Sequence, residues 1–225
     1  ALTLVLPAKP QVSRVVRGGE ATVALRVPNH PLALQLLKQS GLCVAAPSAN
    51  LFTQLSPTTA SHVEAGLGET VPVLDGGACS VGIESTIVSV AADGQWQLLR
   101  PGMISEAEIA KVAGTPQRGS YVPAAQKETQ AAIAIPKVPG QHALHYSPRT
   151  PLTLYKDRQA LLAACNILLN AHKSCAALLM AAGEMPACRA ITLPKQPEKV
   201  AEQLYSSLHE LDGRAGRRTD RKSVV

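Results

Sequence analysis

The sequence predicts an α/β protein: a sheet-rich first part with helices interleaved, followed by a small Rossmann-like α/β unit. Three observations predict this. Runs of strand length, several of them β-branched and bounded by glycine or proline, recur through the first part of the chain with helical patterns between them. After Gly114 periodicity fails for roughly 35 residues rich in Pro, Gln, Ala and Lys. A second rhythm, strand-helix-strand-strand-helix, then starts at Pro151 without a Gly-rich dinucleotide fingerprint.

In chain order, residues 2–6, 22–27, 42–46, 71–74, 86–90 and 95–99 read as strands. Asp93-Gly94 is a tight-turn dipeptide and joins the last two as an antiparallel hairpin. Three helices interleave. Residues 31–39 follow Asn29 as a capping residue, residues 57–65 follow Ser56 with proline at the tolerated first position, and residues 106–112 follow Ser105, which forms a capping box with Glu108. Beyond Pro151, residues 152–155, 175–181 and 190–193 read as strands, and 158–169 and 198–211 as amphipathic helices. The boundaries expected are 1–114 for the first domain, 115–150 for a linker and lid, 151–212 for the accessory domain and 213–225 for a basic tail. No internal repeat is present.

Composition narrows the function classes. With 225 residues and 46% hydrophobic content the chain can bury one large core or two modest ones. Its longest apolar runs, such as 175–182, are far too short to cross a bilayer, so a soluble protein with no membrane association is expected. The start lacks an initiating Met and a basic leader and reads as a strand already under way, which predicts missing upstream residues. Five cysteines include no C-x-x-C pair, so they read as small buried hydrophobes of a cytoplasmic protein, with neither a metal site nor a disulfide framework. The net charge of +6 is unevenly spread, because five basic residues against Asp220 give the tail a net +4. That tail follows no hydrophobic period and reads as a disordered arm or a sequence artefact, the artefact being favoured.

Several loops carry groups suited to anions. Arg26 ends a strand inside Arg26-Val27-Pro28-Asn29-His30-Pro31, where its planar fork could grip a carboxylate or phosphate, or simply form a surface ion pair. In Ala45-Ala46-Pro47-Ser48-Ala49-Asn50 a strand breaks into small residues that let backbone amides approach a ligand, although such turns are common. Ser56-Pro57-Thr58-Thr59 opens a helix, either as a plain cap or as an anion-binding N-terminus. The loop 75–86 brings three glycines and two serines between two strands, with Glu84 as a base or a surface carboxylate. Arg100 stands at another strand end, in Leu99-Arg100-Pro101-Gly102. His142 and His145 lie in the linker without partners at metal-ligand spacing, and the adjacent Tyr146 suits stacking on a base.

Taken together and in this order, the segments resemble the YrdC-like family in its long form with a C-terminal accessory domain, the threonylcarbamoyl-AMP synthases. The resemblance rests on Leu2-Thr3-Leu4-Val5-Leu6-Pro7, the Arg26 segment with Thr22, Ala45-Ala46-Pro47-Ser48-Ala49-Asn50, Ser56-Pro57-Thr58 and Leu74-Asp75-Gly76-Gly77. It continues through Gly82-Ile83-Glu84-Ser85-Thr86, the Arg100 segment and His145-Tyr146-Ser147-Pro148. It covers residues 1 to about 150 by motif and the accessory domain by pattern, whereas the tail matches nothing in it. The fold implied is a YrdC-like twisted open mixed sheet.

The activity implied is synthesis of threonylcarbamoyl-AMP from L-threonine, bicarbonate and ATP with release of pyrophosphate, for threonylcarbamoyladenosine at position 37 of tRNA. By resemblance, Arg26, Ala46 and Ser85 bind threonine, and Thr22, Ser48, Ser56, Arg100 and Tyr146 bind ATP, with Mg2+ accompanying the nucleotide. Protein side chains supply no covalent catalysis in this scheme. A monomer is expected, with tRNA reached only through a downstream transferase complex and weak binding of double-stranded RNA as a further expectation. The family's opening half-domain, with a Lys and an Arg for the triphosphate, has no counterpart here, so the chain alone is expected to be inactive and poorly stable. Two rivals remain. A carbamoyl-adenylate-forming hydrogenase-maturation factor places other domains around the same unit. A non-catalytic RNA-binding module would lean on the basic tail, but one Phe and one Trp offer little for stacking on bases.

Overall fold

A computed structural model describes residues 2–117, 146–213 and the backbone of 223–224. Most of the expected linker, including His142 and His145, and most of the tail lie outside the described residues. Two compact units interleave along the chain: Ala1–Pro47 with Glu84–Ala143, and Ser48–Ile83 with Leu144–Val225.

The first unit is organised by a four-stranded mixed sheet in the order β2-β1-β3-β4. Strand β1 (Leu2–Pro7) runs parallel to β3 (Thr86–Val90) and antiparallel to β2 (Thr22–Leu25), and β3 turns back into β4 (Trp96–Arg100). The β3–β4 turn forms as its sequence predicts, because the Asp93 side chain accepts from the Gln95 amide at 3.0 Å and Gly94 takes φ +85°. Alternation then sorts the side chains. Val88, Trp96 and Leu98 meet Ile109 on one face, and Val5, Ile87 and Leu99 cluster separately. Ile109 comes from α3 (Glu106–Ala113), whose start carries the expected capping box between Ser105 and Glu108. The indole Nε1 of Trp96 donates to the Gly114 carbonyl at 3.0 Å. Helix α1 (Pro31–Ser40) buries no residue, and its N-cap is His30 without a side-chain bond, not Asn29.

The second unit holds α2 (Ala60–Leu67), α4 (Arg158–Asn170) and α5 (Pro197–Gly213), with a parallel sheet in the order β6-β5-β7. Here β5 is Cys175–Leu179, β6 is Arg189–Thr192 and β7 is Ser223–Val224. Leu161, Cys165, Ala177 and Leu179 form one core, and Leu55, Tyr205 and Leu208 another. Asp157 caps α4 by accepting from the Ala160 amide at 2.9 Å.

Five further expectations need correction. Residues 42–46, 71–74 and 152–155 are not strands. Apolar content alone does not make a strand; a ladder partner must take up the backbone groups. No ladder forms here, Leu152 making only an isolated bridge, and Leu42, Val44, Leu74 and Leu154 stand 66%, 55%, 62% and 96% exposed. Helix α2 begins at Ala60, not at Pro57, because it is the Thr59 hydroxyl that accepts from the His62 amide. The tail is not wholly without packed structure, since Ser223–Val224 pair parallel with β5.

Candidate active site

In the first unit, strand ends bring four polar side chains together. Thr3 sits on β1, Ser85 immediately precedes β3, Arg26 follows β2 and Arg100 ends β4. Because β1 and β3 are parallel neighbours, Thr3 pairs across to Ile87 and stands near the strand's entrance, where its hydroxyl lies 2.9 Å from that of Ser85. Both are nearly fully buried, at 6% and 7% exposure. Arg26 bridges them, with Nε donating to Thr3 Oγ1 at 2.8 Å and Nη2 to Ser85 Oγ at 2.7 Å. Arg100 approaches from the other side, donating through Nε to the Ser85 carbonyl and through Nη2 to Ser85 Oγ, both at 3.1 Å.

Two guanidiniums therefore converge on one neutral hydroxyl. Arg26 remains accessible on one side, yet partial burial of its guanidinium, and then the nearby charge of Arg100, lower its pKa from the usual arginine value. Among the described residues Arg26 spends its bonds on hydroxyls and on no carboxylate. Such a site can take an anion, because a ligand carboxylate or phosphate would meet the planar, donor-rich fork of Arg26.

The close approach of the chain at 102 holds this arrangement. A Cβ on Gly102 would stand 2.5 Å from the Thr86 amide and 2.8 Å from the Glu84 carbonyl, the two residues flanking Ser85. Thr86 is fully buried and its hydroxyl ties down residue 104, donating to the Ile104 carbonyl at 2.8 Å and accepting from its amide at 3.1 Å. The Arg100-Pro101-Gly102 turn is thereby clamped against the Ser85 backbone.

Of the site residues expected from the sequence, the structure brings Arg26 and Arg100 each into hydrogen-bonding range of Ser85. Thr22 lies at the start of β2 opposite Pro7, and Ala46 is exposed in the irregular segment after α1. Ser48, Ser56 and Tyr146 belong to the second unit. There the Ser56 carbonyl contacts His209 Nε2 at 3.0 Å, Ser48 is exposed, and Tyr146 adopts φ +54° with its ring 6.2 Å from that of Tyr205. Asn50, beside Ser48, gives both amide hydrogens to the Leu51 and Gln54 carbonyls, while its buried Oδ1 finds no donor among the described residues. An open cleft at the N-terminus of α2 is lined by Thr58, Thr59, Asp75, Gly76 and Gly77 among others. Its amides and its glycine backbone suit a phosphate. Thr3 was missing from the sequence-derived set, and its only signal was a polar residue within an otherwise apolar strand.

Two family models match the chain. Residues 1–102 match the Sua5/YciO/YrdC model, described as telomere recombination, and residues 104–221 match the model described as threonylcarbamoyl-AMP synthase, C-terminal domain. The chain is 45% identical over 156 residues to a threonylcarbamoyl-AMP synthase of Bacillus subtilis, covering 68% of this chain and 43% of that protein. It is 33% identical over 217 residues to a threonylcarbamoyl-AMP synthase of Pyrococcus abyssi, covering 94% of this chain and 61% of that one. The crystal structure of P. abyssi Sua5 complexed with L-threonine superposes with a TM-score of 0.79 at 30% identity, over 99% of this chain and 64% of that one. The chain thus spans less than two thirds of the length of these relatives.

Proposed function

The chain belongs to the threonylcarbamoyl-AMP synthase family, carrying the Sua5/YciO/YrdC type of domain ahead of that family's C-terminal domain, and from this we propose that it acts in forming threonylcarbamoyl-AMP from L-threonine, bicarbonate and ATP. The observation that carries this reading is the pair Arg26 and Arg100 meeting at Ser85. A relative's structure holds L-threonine, a ligand whose carboxylate suits a planar guanidinium fork.

In the proposed reaction a carbamate oxygen of N-carboxythreonine attacks the α-phosphorus of ATP. One P–O bond forms, the bond to pyrophosphate breaks, and pyrophosphate leaves. The protein's part is to hold two anions in line and to offset charge as it moves. Arg26 takes the threonine carboxylate, with Ser85 and Ala46 completing that pocket. Arg100 and Thr22 of the first unit contact ATP, and Ser48, Ser56 and Tyr146, which the resemblance also assigns to ATP, belong to the second unit. Mg2+ would enter with ATP, which fits a chain whose phosphate-facing groups are amides and hydroxyls rather than an all-protein cage. The product then passes to the enzymes that modify adenosine 37 of tRNA.

Isothermal titration of the chain with L-threonine, with and without bicarbonate, tests the reading. Arg26→Lys keeps the charge but cannot span Thr3 and Ser85 with one planar fork, so threonine affinity should fall about 10- to 100-fold, the worth of one charge-assisted bond. Saturable binding left intact in Arg26→Lys and in Arg26→Ala would remove the basis for this function.

A further inference from the structure

The accessory unit contains a second cluster that the proposed reaction does not use. Cys165 lies on α4, Cys175 opens β5 and Cys188 immediately precedes β6. Their spacing along the chain forms no metal motif, yet helix-on-sheet packing brings all three Sγ atoms within 4.8 Å of one another, with Cys165 and Cys188 at 3.7 Å. A metal ion with M–S bonds of about 2.3 Å holds its sulfurs roughly 3.8 Å apart in a tetrahedron and roughly 4.0 Å apart in a trigonal plane. The one spacing of 3.7 Å and the limit of 4.8 Å on the others are compatible with both values, so small side-chain rotations would suffice to close the site.

The donor set selects the ion. Three sulfurs exclude the hard cations Mg2+ and Ca2+, which take oxygen ligands. Among the described residues no histidine or carboxylate joins the group to make a fourth ligand, as structural zinc sites nearly always require. Soft monovalent copper accepts thiolate ligands without needing that fourth donor. Leu161, Ala177, Leu179 and Leu168 wall the cluster in. Cys165 is fully buried, while Cys175 and Cys188 keep some exposure, leaving an entry path and contact between the bound charge and water.

We propose that Cys165, Cys175 and Cys188 form a three-sulfur site for one soft, thiophilic metal ion, with monovalent copper as the best match. Burial raises the pKa of the Cys165 and Cys188 thiols, so in the metal-free protein they stay protonated and are poor nucleophiles, which argues against a thiol–disulfide role. Each thiol that becomes a ligand releases one proton to solvent, and affinity therefore rises with pH.

The test is anaerobic titration of the full chain with Cu(I) against a chromogenic Cu(I) chelator, with Zn(II) in a parallel arm. One Cu(I) per chain should be retained, with Zn(II) held more weakly. Cys175→Ala and Cys188→Ala, the less buried members, should each lower affinity by more than the roughly 10- to 100-fold expected from losing an outer-shell partner alone. Circular dichroism checks that both variants remain folded, and Cys43→Ala/Cys79→Ala, which removes the two exposed thiols outside the group, should bind like the parent. Copper retention that follows Cys43 and Cys79, loss of all copper to the chelator, or preference for Zn(II) overturns the proposal. Threonine titration of the same variants should be unchanged, which keeps this site separate from the proposed activity.

Discussion

Replacing Gly102 by alanine adds one methyl group at the place where two segments of the first unit meet most closely. The new Cβ would lie 2.5 Å from the Thr86 amide, 2.7 Å from Thr86 Oγ1 and 2.8 Å from the Glu84 carbonyl, where ordinary contact begins at 3.4 Å. At least two of these neighbours are backbone atoms, so no side chain can swing aside, and the segments must part by most of an ångström. Forcing volume into a packed site costs about 1–3 kcal/mol. Thr86 Oγ1 also holds both hydrogen bonds to Ile104, and losing one adds about 1 kcal/mol. The sum, about 2–4 kcal/mol, is a large share of a typical domain's stability of roughly 5–15 kcal/mol. Urea melts of the parent and variant should differ in midpoint by about 1–2 M, given a slope of about 2 kcal/mol per M. Gly66 supplies a contrast of opposite sign, since it lies inside α2 with nothing within 4 Å of its added Cβ. Gly66→Ala should stabilise the second unit by about 0.5–1 kcal/mol. Equal midpoints for Gly102→Ala and the parent, or greater damage from Gly66→Ala, would refute the reasoning.

Gly82→Ala should loosen the second unit by a similar route, since its Cβ would meet the Glu202 and Ala201 carbonyls at 2.5 and 2.9 Å; faster amide exchange along α5 is the readout. Hydrogen bonds from Ser105 hold the Glu108 pKa below the usual carboxylate value. Its contribution to stability is therefore present above an unfolded pKa of about 4.3 and lost as pH falls through the folded value. Glu108→Gln should abolish that part of the pH dependence in thermal melts. Burial, and then His209 stacked 4.0 Å away, lower the pKa of His62. The native state thus binds fewer protons than the unfolded chain just below pH 6.5, and stability should fall as pH drops from there. His62→Gln should flatten the fall, and an unchanged profile would count against the stacked pair as its source.

Local chemistry made much of the fold legible in advance. The β3–β4 hairpin announced itself through Asp93-Gly94, and α3 through Ser105 and Glu108, because these signals act within a few residues. Helix α4 was readable from its apolar period, and the structure adds Asp157 as its cap. Residues 42–46, 71–74 and 152–155 misled for the opposite reason. A strand is a relation between two segments, and nothing in an isolated apolar run says whether a partner lies alongside. The start of α2 was ambiguous on the same scale: Ser56, Thr58 and Thr59 all offer a hydroxyl, and only the path of the backbone decides which one meets the His62 amide.

The site divides along the same line. Arg26 and Arg100 stood out as cations at strand ends, whereas Thr3 is hidden inside Leu2-Thr3-Leu4-Val5, and its partner Ser85 lies 82 residues away. The parallel β1–β3 register makes that pair, and a proton inventory then says what Thr3 does. Ser85 Oγ accepts from Arg26 and from Arg100, which fills both of its lone pairs, so its own hydrogen points to Thr3 Oγ1. Thr3 Oγ1 in turn accepts from Ser85 and from Arg26 Nε, which occupies its lone pairs as well. The one hydrogen left undirected among these hydroxyls is that of Thr3. The cluster thus confronts an incoming anion with two guanidiniums and a hydroxyl whose acceptor capacity is already spent. On the proposed reading, that imbalance of donors over acceptors would favour a carboxylate over a neutral group.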